Sequence, residues 1–379
     1  MNKENIIIAP DSFKETMSAK EVCIGIKKGF QRVFPNANFF TVPLADGGEG
    51  TVEVLVDSTS GKIIKTKVND PLFREIESFY GILGDKKTAI IEMASASGLE
   101  LLSQDEKNPM NTSSYGFGQL INHALDNGVK DFVLGLGGSA TNDCGIGMLQ
   151  ALGVVFYDDK NNILPLVCGK DLESIVSFDA SLLKDKFKDI NIEVACDVKN
   201  PLCGSNGASL VFGKQKGANE EMIKTLDSNI SKFADLCKNT LGVDRRDIEG
   251  CGAAGGLGFA LITFLNAKLK SGIDIVMDKA GLEELIKEAD LVITGEGKID
   301  SQTINGKTPI GVAKLAKKYD KKVIAIAGCI SNDYEVVFDY GIDAVFDITP
   351  ISMDFETIKK ESKRNLELTA FNIAKCLSM

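Results

Sequence analysis

The sequence predicts an α/β protein in which a doubly wound parallel sheet is built from both ends of the chain and a mixed α+β domain is inserted between them. Three observations carry this prediction. Short β-branched runs alternate with helical periodicity at the N-terminus. That rhythm gives way to hairpin-like alternation after residue 61, and clean strand–helix alternation returns from about residue 285. At 379 residues the chain also exceeds the roughly 250–300 that one hydrophobic core usually supports, so two domains are expected.

The elements follow in order. Ile6-Ile7-Ile8-Ala9 is a buried strand stopped by Pro10. Ser18 and Glu21 have capping-box spacing, and Val22, Ile26, Phe30 and Val33 repeat at helical intervals. Phe39-Phe40-Thr41-Val42 is the next strand, and the run Leu44 to Gly50 leads into a helix from about Thr51. Residues 61–98 alternate strands with turns at Asn69-Asp70-Pro71 and Leu83-Gly84-Asp85, which predicts antiparallel hairpins. Further strands are expected at Phe132–Leu134, Ile192–Ala195, Leu291–Thr294, Val323–Ile326 and Ala344–Asp347. The uncharged stretch Gly250 to Ala267 reads as a glycine-rich loop feeding a buried helix, and the tail after Glu356 as a solvated terminal helix. The expected division is 1–62 with 285–379 against 63–284. The active site is expected in the cleft between them, at the C-terminal ends of parallel strands.

Composition narrows the function. A net charge of −10 argues against a nucleic-acid binder, which needs a basic face. Nine cysteines lie singly with no CxxC pair, which disfavours a zinc ribbon and suits free thiols in a reducing, cytoplasmic setting. The chain runs from Met1 straight into an apolar strand, so neither a signal peptide nor a membrane helix is expected. There is one histidine, His123, placed on a helix face away from any nucleophile motif. Acid–base chemistry therefore falls to Asp, Glu or Lys.

Five segments could carry chemistry. Leu134 to Asp143 runs from a strand through glycines toward a helix, a geometry in which backbone N–H groups can meet an anion. Read structurally, it is only a tight turn capped by Thr141 or Asn142. It also fits a GxGxxA dinucleotide fingerprint, with Asp158-Asp159 near the required distance, so an NAD-dependent hydroxy-acid dehydrogenase is one alternative. Asp158 to Asn162 equally reads as a hairpin turn. Ile293 to Asp300 interleaves Glu296, Lys298 and Asp300 with glycines, and Asn305-Gly306-Lys307-Thr308 resembles a Walker A end but lacks its first glycine. Ala195 to Gly204 and Asp46 to Gly50 each place a carboxylate at a strand end, and Pro10 to Lys14 follows the first strand. Each alone is more often a turn than a site.

Together, IIIAPDSFK (Ile6–Lys14), PLADGGEGT (Pro43–Thr51), LGGSATND (Leu136–Asp143), CDVKNPLCG (Cys196–Gly204), GAAGGLG (Gly252–Gly258) and ITGEGKIDSQTINGK (Ile293–Lys307) resemble the type I bacterial glycerate kinase family, in the family's order. The resemblance implies a discontinuous Rossmann-like domain with an insertion, and ATP- and Mg²⁺-dependent phosphorylation of D-glycerate to 2-phosphoglycerate. Two positions depart from the family pattern, which has glycine where this chain has Glu15 and Cys144.

On this basis Lys14 and Ser12, with Asp46, are expected to bind glycerate. Gly137, Gly138, Ser139, Thr141, Asn142, Glu296 and Lys298 are expected at the nucleotide phosphates. Asp197, Asp46, Asp300 and Lys14 are the catalytic candidates, and Asp197 and Asp300 the Mg²⁺ candidates, with Asp197 favoured as base. The partners expected are D-glycerate and ATP, with a homodimer as the candidate assembly and no nucleic acid or membrane. A non-catalytic phosphometabolite-binding regulator is the other alternative.

Overall fold

A computed structural model describes residues 4–48, 50–349 and 354–379. Strands β1 (Asn5–Ile8) and β2 (Asn38–Thr41) open the chain. They are followed by β3 (Lys62–Asn69), β4 (Glu75–Ile82), β5 (Thr88–Glu92), β6 (Asp131–Gly135), β7 (Val155–Tyr157), β8 (Ser177–Asp179), β9 (Asn191–Ala195) and β10 (Lys268–Lys270). The last strands are β11 (Leu291–Ile299), β12 (Lys322–Ile330) and β13 (Ala344–Asp347). The chain divides into two compact units, one of residues 1–46, 57–59 and 273–379, the other of 47–56 and 60–272. The two units meet in the chain at Asp46/Gly47 and Gly272/Ile273. Most of helix Thr51–Thr59 belongs with the second unit, because Val52 and Val56 pack on Gly81 of β4.

The first unit holds a five-stranded sheet in the order β13-β12-β11-β1-β2, with every neighbouring pair parallel. From β1 the chain steps outward to β2; from β11 it steps the opposite way to β12 and β13. The strand order therefore reverses between β1 and β11, where open α/β sheets form a crevice at their carboxyl ends. Helix Ala19–Gln31 begins at the expected capping box, with Ser18 accepting from the Glu21 N–H and Glu21 accepting from the Ser18 N–H. Its apolar face, Val22, Ile26 and Phe30, joins β1 and the terminal helix Phe355–Leu377 in one core. That last helix is only partly solvated. Leu366, Ala370, Ile373 and Ala374 are buried, and a Cβ at Gly29 would lie 2.5 Å from the Glu367 carbonyl.

The second unit holds a six-stranded sheet in the order β10-β9-β6-β5-β4-β3. β3, β4 and β5 form the expected antiparallel meander, but β5 also pairs parallel with β6, and β9 and β10 continue in parallel. The small hairpin β7–β8 lies apart from this sheet. Helix Ala253–Leu265 is buried, as its uncharged sequence predicts. It begins with three successive left-handed residues, Ala254, Gly255 and Gly256. His123 lies on helix Tyr115–Asp126, its Nδ1 3.0 Å from the Tyr80 hydroxyl. All nine cysteines are free thiols. No helix among the described residues is long and apolar enough to cross a membrane.

Candidate functional site

In the first unit the polar cluster stands at the reversal between β1 and β11. β1 ends at Ile8, and Asp11 follows within three residues, its N–H donating to the Gly295 carbonyl of β11 at 2.8 Å. One Asp11 carboxylate oxygen accepts from the Ser12 N–H at 2.6 Å, and the other from the Thr308 hydroxyl at 2.6 Å. Burial raises the Asp11 pKa. The Thr308 hydrogen bond opposes that rise, and the negative charge of Asp46 adds to it. Asp11 was not singled out in the sequence, where Ser12 and Lys14 drew the attention. A carboxylate three residues beyond a buried parallel strand was the available signal.

The run Gly295-Glu296-Gly297-Lys298 was expected as a loop ending a strand. It is strand: β11 continues to Ile299, paired with β12 as far as Ile330. Gly295 is needed because a Cβ there would meet the Ile326 carbonyl at 2.1 Å. Two residues apart on the strand, Glu296 and Lys298 share one face and differ in burial. Glu296 is buried, accepting from the Thr303 hydroxyl at 2.6 Å and lying 3.2 Å from the Lys307 ammonium. Burial raises its pKa, against the pull of Thr303 and Lys307. Lys298 is exposed and pairs with Asp300 at 3.1 Å. Burial alone would raise the Asp300 carboxyl, but Lys298, the Gln302 N–H and Lys307 together hold it below its usual range. The near-Walker segment therefore contributes after all: Lys307 reaches Glu296, and Thr308, first residue of helix Thr308–Lys317, reaches Asp11.

Ser12 is half-buried beside Asp11, and its hydroxyl donates to the same carboxylate at 3.2 Å. Lys14 is exposed on a tight turn closed by the paired N–H···O bonds of Phe13 and Met17, each 2.9 Å. Glu15 in that turn has φ 65°, the left-handed region that glycine enters without strain. Cys144 has φ 52°. Both departures from the family pattern thus fall where the backbone favours glycine. Glu49, within the Asp46–Gly50 motif, lies outside the described residues.

In the second unit the Leu136–Asp143 segment is closed in a way its sequence did not suggest. The expected helix N-terminus is already occupied. Helix Ile146–Ala151 starts late, and Asp143 accepts from the Gly145 and Gly147 N–H groups at 3.1 and 3.3 Å and from Ser114 at 2.8 Å. Ser139 and Ala140 zip onto residues 97–98, with the Ala140 N–H 2.9 Å from the Ser97 carbonyl. Thr141 and Asn142 are fully buried, so they support the loop from within and do not present themselves to a phosphate. Asn142 donates to the Ser209 hydroxyl at 2.7 Å. Only Gly137 and Gly138 are exposed, with Ser139 at their inner edge. Gly255 backs the loop, its carbonyl accepting from the Cys144 N–H at 2.9 Å. A Cβ at Gly255 would strike the Thr141 carbonyl at 2.2 Å.

Beneath this loop lies Lys216, which no sequence motif marks. It is 2 % exposed. Its ammonium donates to the Ser139 hydroxyl at 2.9 Å and to the Thr141 carbonyl at 2.6 Å. Burial pulls its pKa down to about 7, with Asp143 opposing. Glu92, at the end of β5, accepts from the Val52 N–H at 2.9 Å, so the start of helix Thr51–Thr59 is likewise capped by a carboxylate. Burial pushes Glu92 up to about 7.

Asp197 is exposed, and its carboxylate accepts from the Gly272 N–H at 3.1 Å. Gly272 opens helix Gly272–Lys279, so this contact ties the Asp197 segment to a helix start 75 residues away. Asp158 is committed to its own turn, accepting from Lys160 and Asn162 N–H groups at 2.9 and 2.7 Å. A carboxylate so engaged is a poor partner for a ribose, which removes the support for an NAD-dependent reading.

The family model for the glycerate kinase family matches residues 6–378. The chain is 53% identical over 372 residues to a glycerate kinase of Haemophilus influenzae, covering 98% of each chain. It is 50% identical over 374 residues to glycerate 2-kinase of Escherichia coli, covering 99% of this chain and 98% of that one. The structure is similar to a crystal structure described as a candidate glycerate kinase 2 from Salmonella typhimurium LT2. The TM-score is 0.92 at 49% identity, over 99% of this chain and 98% of the other. With a family match over nearly its whole length and relatives at this identity, the chain belongs to the glycerate kinase family.

Proposed function

We propose that this chain is an ATP-dependent kinase that phosphorylates D-glycerate to 2-phosphoglycerate in the cytoplasm. The observation that carries the chemistry is the Asp11–Ser12–Thr308 cluster at the strand-order reversal, with Asp46 close enough to act on Asp11 electrostatically. The reaction is in-line attack of a glycerate hydroxyl on the γ-phosphorus, and its loose transition state leaves the protein mainly positioning and charge neutralisation. Asp11 takes the hydroxyl proton: its raised pKa makes it a better base than an ordinary aspartate, and Thr308 and Ser12 fix its two oxygens. Lys14 and Ser12 bind the glycerate carboxylate. Gly137, Gly138 and Ser139 are the nucleotide candidates of the second unit, and Lys298 is the phosphate-binding cation candidate of the first.

Mg²⁺ fits the residues present. A hard cation takes one or two carboxylates and fills its remaining positions with phosphate and water oxygens. Asp300 is held below its usual range by its neighbours, in the ionised form such a ligand needs. Asp300, with Asp46, would hold the ion, which supplies charge neutralisation at the β- and γ-phosphates.

The test is ADP release over a panel of small hydroxy acids, with product position read by phosphorus NMR. D-glycerate should stimulate turnover and excess EDTA should abolish it. Equal phosphorylation of D-lactate, which lacks the second hydroxyl, would sink the substrate assignment. Gel filtration with light scattering tests the homodimer.

A further inference from the structure

The second unit contains a cavity of about 460 Å³ at the carboxyl ends of the parallel strands β5 and β6. Ligand cavities run from about 300 to 1,000 Å³, a size suited to a ligand much larger than a three-carbon acid. Gly137 and Gly138 form one edge. Phe79 and Leu101 supply apolar wall, and Glu53, Glu92 and Glu100 supply carboxylates. Among the described residues no lysine, arginine or histidine lines it.

The signs of these charges decide what can enter. Glycerate and the phosphates of a nucleotide are anions and would meet Glu53 and Glu100, with Glu92 only partly ionised near neutrality, and no cation among the described lining to offset them. A neutral ligand rich in donors is the opposite case: hydroxyl and amino groups donate to carboxylate oxygens, and a flat apolar body packs on Phe79 and Leu101. Gly138, on the loop side of the cavity, has φ 70° and no side chain. A Cβ there would lie 3.1 Å from the Cβ of Ala94. Glu92 is already anchored by the Val52 N–H, so its position is set before any ligand arrives.

We propose that this cavity receives the nucleoside of ATP, the purine against the apolar wall and the ribose hydroxyls toward the carboxylates, with the phosphate chain leaving across Gly137 and Gly138. The proposal rests on the kinase reading above and names the part of the nucleotide held by this unit. It predicts that adenosine alone binds here, because the triphosphate contributes nothing inside the cavity.

The experiment uses the full chain, wild type and two variants, Ala94→Phe to fill the mouth and Phe79→Ala to remove the wall. Ala94→Phe should raise the ATP KM by about 10-fold or more while leaving the glycerate KM within about twofold at saturating ATP, a split that general damage would not produce. Phe79→Ala should raise the ATP KM less, by about threefold to tenfold, in the same direction. Adenosine should inhibit the wild type competitively against ATP, and its calorimetric binding should disappear in Ala94→Phe. If both variants melt like wild type and keep the ATP KM and adenosine binding within about twofold, the cavity assignment is overturned while the kinase reading stands. If the wild type releases no ADP with any hydroxy acid, the kinase reading falls; adenosine titration then still decides the cavity, upheld by binding that Ala94→Phe removes and overturned by no binding.

Discussion

Replacing Lys216 by methionine should flatten the pH dependence of stability above neutrality. The wild-type ammonium is enclosed, with two neutral acceptors, the Ser139 hydroxyl and the Thr141 carbonyl, and no carboxylate hydrogen-bonded to it. Burial therefore dominates, and the pKa drops from 10.5 to about 7. Between those values the unfolded chain holds a proton that the folded chain has released. Stability must rise with pH across that window, by up to about 1.4 kcal/mol per pH unit and about 5 kcal/mol over the whole of it. Below pH 7 both states are protonated, and the cost of the buried charge is present in full.

The assay is urea unfolding at half-unit steps from pH 6.5 to 9.5, with wild type and Lys216→Met measured in parallel. Other titrating groups act on both proteins, so the difference between the two curves isolates Lys216. It should grow by about 2–3 kcal/mol between pH 7 and 9. The absolute stability of the variant at one pH is a poorer probe. Methionine removes a desolvation cost but also leaves two acceptors unpaired, and these effects oppose each other. Parallel curves would refute the reasoning: the ammonium would then be solvated or paired in solution, and the tight closure of the 137–142 loop would be wrong.

Glu92→Gln tests the opposite sign. The folded pKa stands near 7 against 4.5 for the free side chain, so the native state retains a proton that the unfolded chain loses, and stability should fall by about 3 kcal/mol from pH 4.5 to 7. Glutamine should abolish that fall, seen in the same unfolding series. Asp11→Asn should lower kcat by about 10²–10⁴-fold, whereas Asp197→Asn should cost under tenfold with about 1 kcal/mol of stability, measured by ADP release and thermal melting. Lys14→Met should raise the glycerate KM by about 10- to 150-fold and spare the ATP KM. Glu15→Gly and Cys144→Gly should diverge. The first relieves a left-handed residue on an exposed turn and should leave stability unchanged or raised by up to about 1 kcal/mol. The second empties a fully buried site and should lose about 1–2 kcal/mol.

The strands of the first unit were legible because each is a short β-branched run with a turn signal at its end. Ala344–Asp347 was bounded to the residue, and the Ser18–Glu21 capping box located the first helix. The antiparallel start of the second unit was legible from its turns. Three things were not. The strand through Gly295–Ile299 was hidden because Gly295 answers to the Ile326 carbonyl of the neighbouring strand, which local propensity does not register. The grouping of helix Thr51–Thr59 was hidden because it rests on the packing of Val52 and Val56 on Gly81, a contact that spans some 25–30 residues of chain. Lys216 was invisible because a buried lysine has the same letter as an exposed one, and nothing around it in sequence forecasts Ser139 as its partner.

The candidate site shows why a glycine-rich turn between strand and helix is weak evidence for an anion site. Two such turns here, after β6 and before helix Thr51–Thr59, supply their own carboxylate to the orphan N–H groups at the helix start. Asp143 does so in one, and Glu92, from the adjacent strand β5, in the other. A phosphate at either helix N-terminus would have to displace a buried carboxylate already hydrogen-bonded there, so the exposed backbone of Gly137 and Gly138 is what remains for a ligand. Helix Thr308–Lys317 differs. Its entry residue Thr308 spends its hydroxyl on Asp11, a group in the reacting cluster, and its N-cap residue Lys307 brings a cation, leaving no carboxylate of the turn bonded across its first N–H groups among the described contacts. Asp143→Asn and Thr308→Val separate the two cases. If the first turn is self-capped scaffold, Asp143→Asn should cost about 1–3 kcal/mol of stability while the folded fraction keeps its ATP KM. If Thr308 tunes the base, Thr308→Val should leave melting nearly unchanged and shift the acid limb of the kcat–pH profile to higher pH, because the bond that lowers the Asp11 pKa is gone. An unshifted acid limb with a lowered melting point would make Thr308 a structural cap and leave Asp46 or Asp300 as the base.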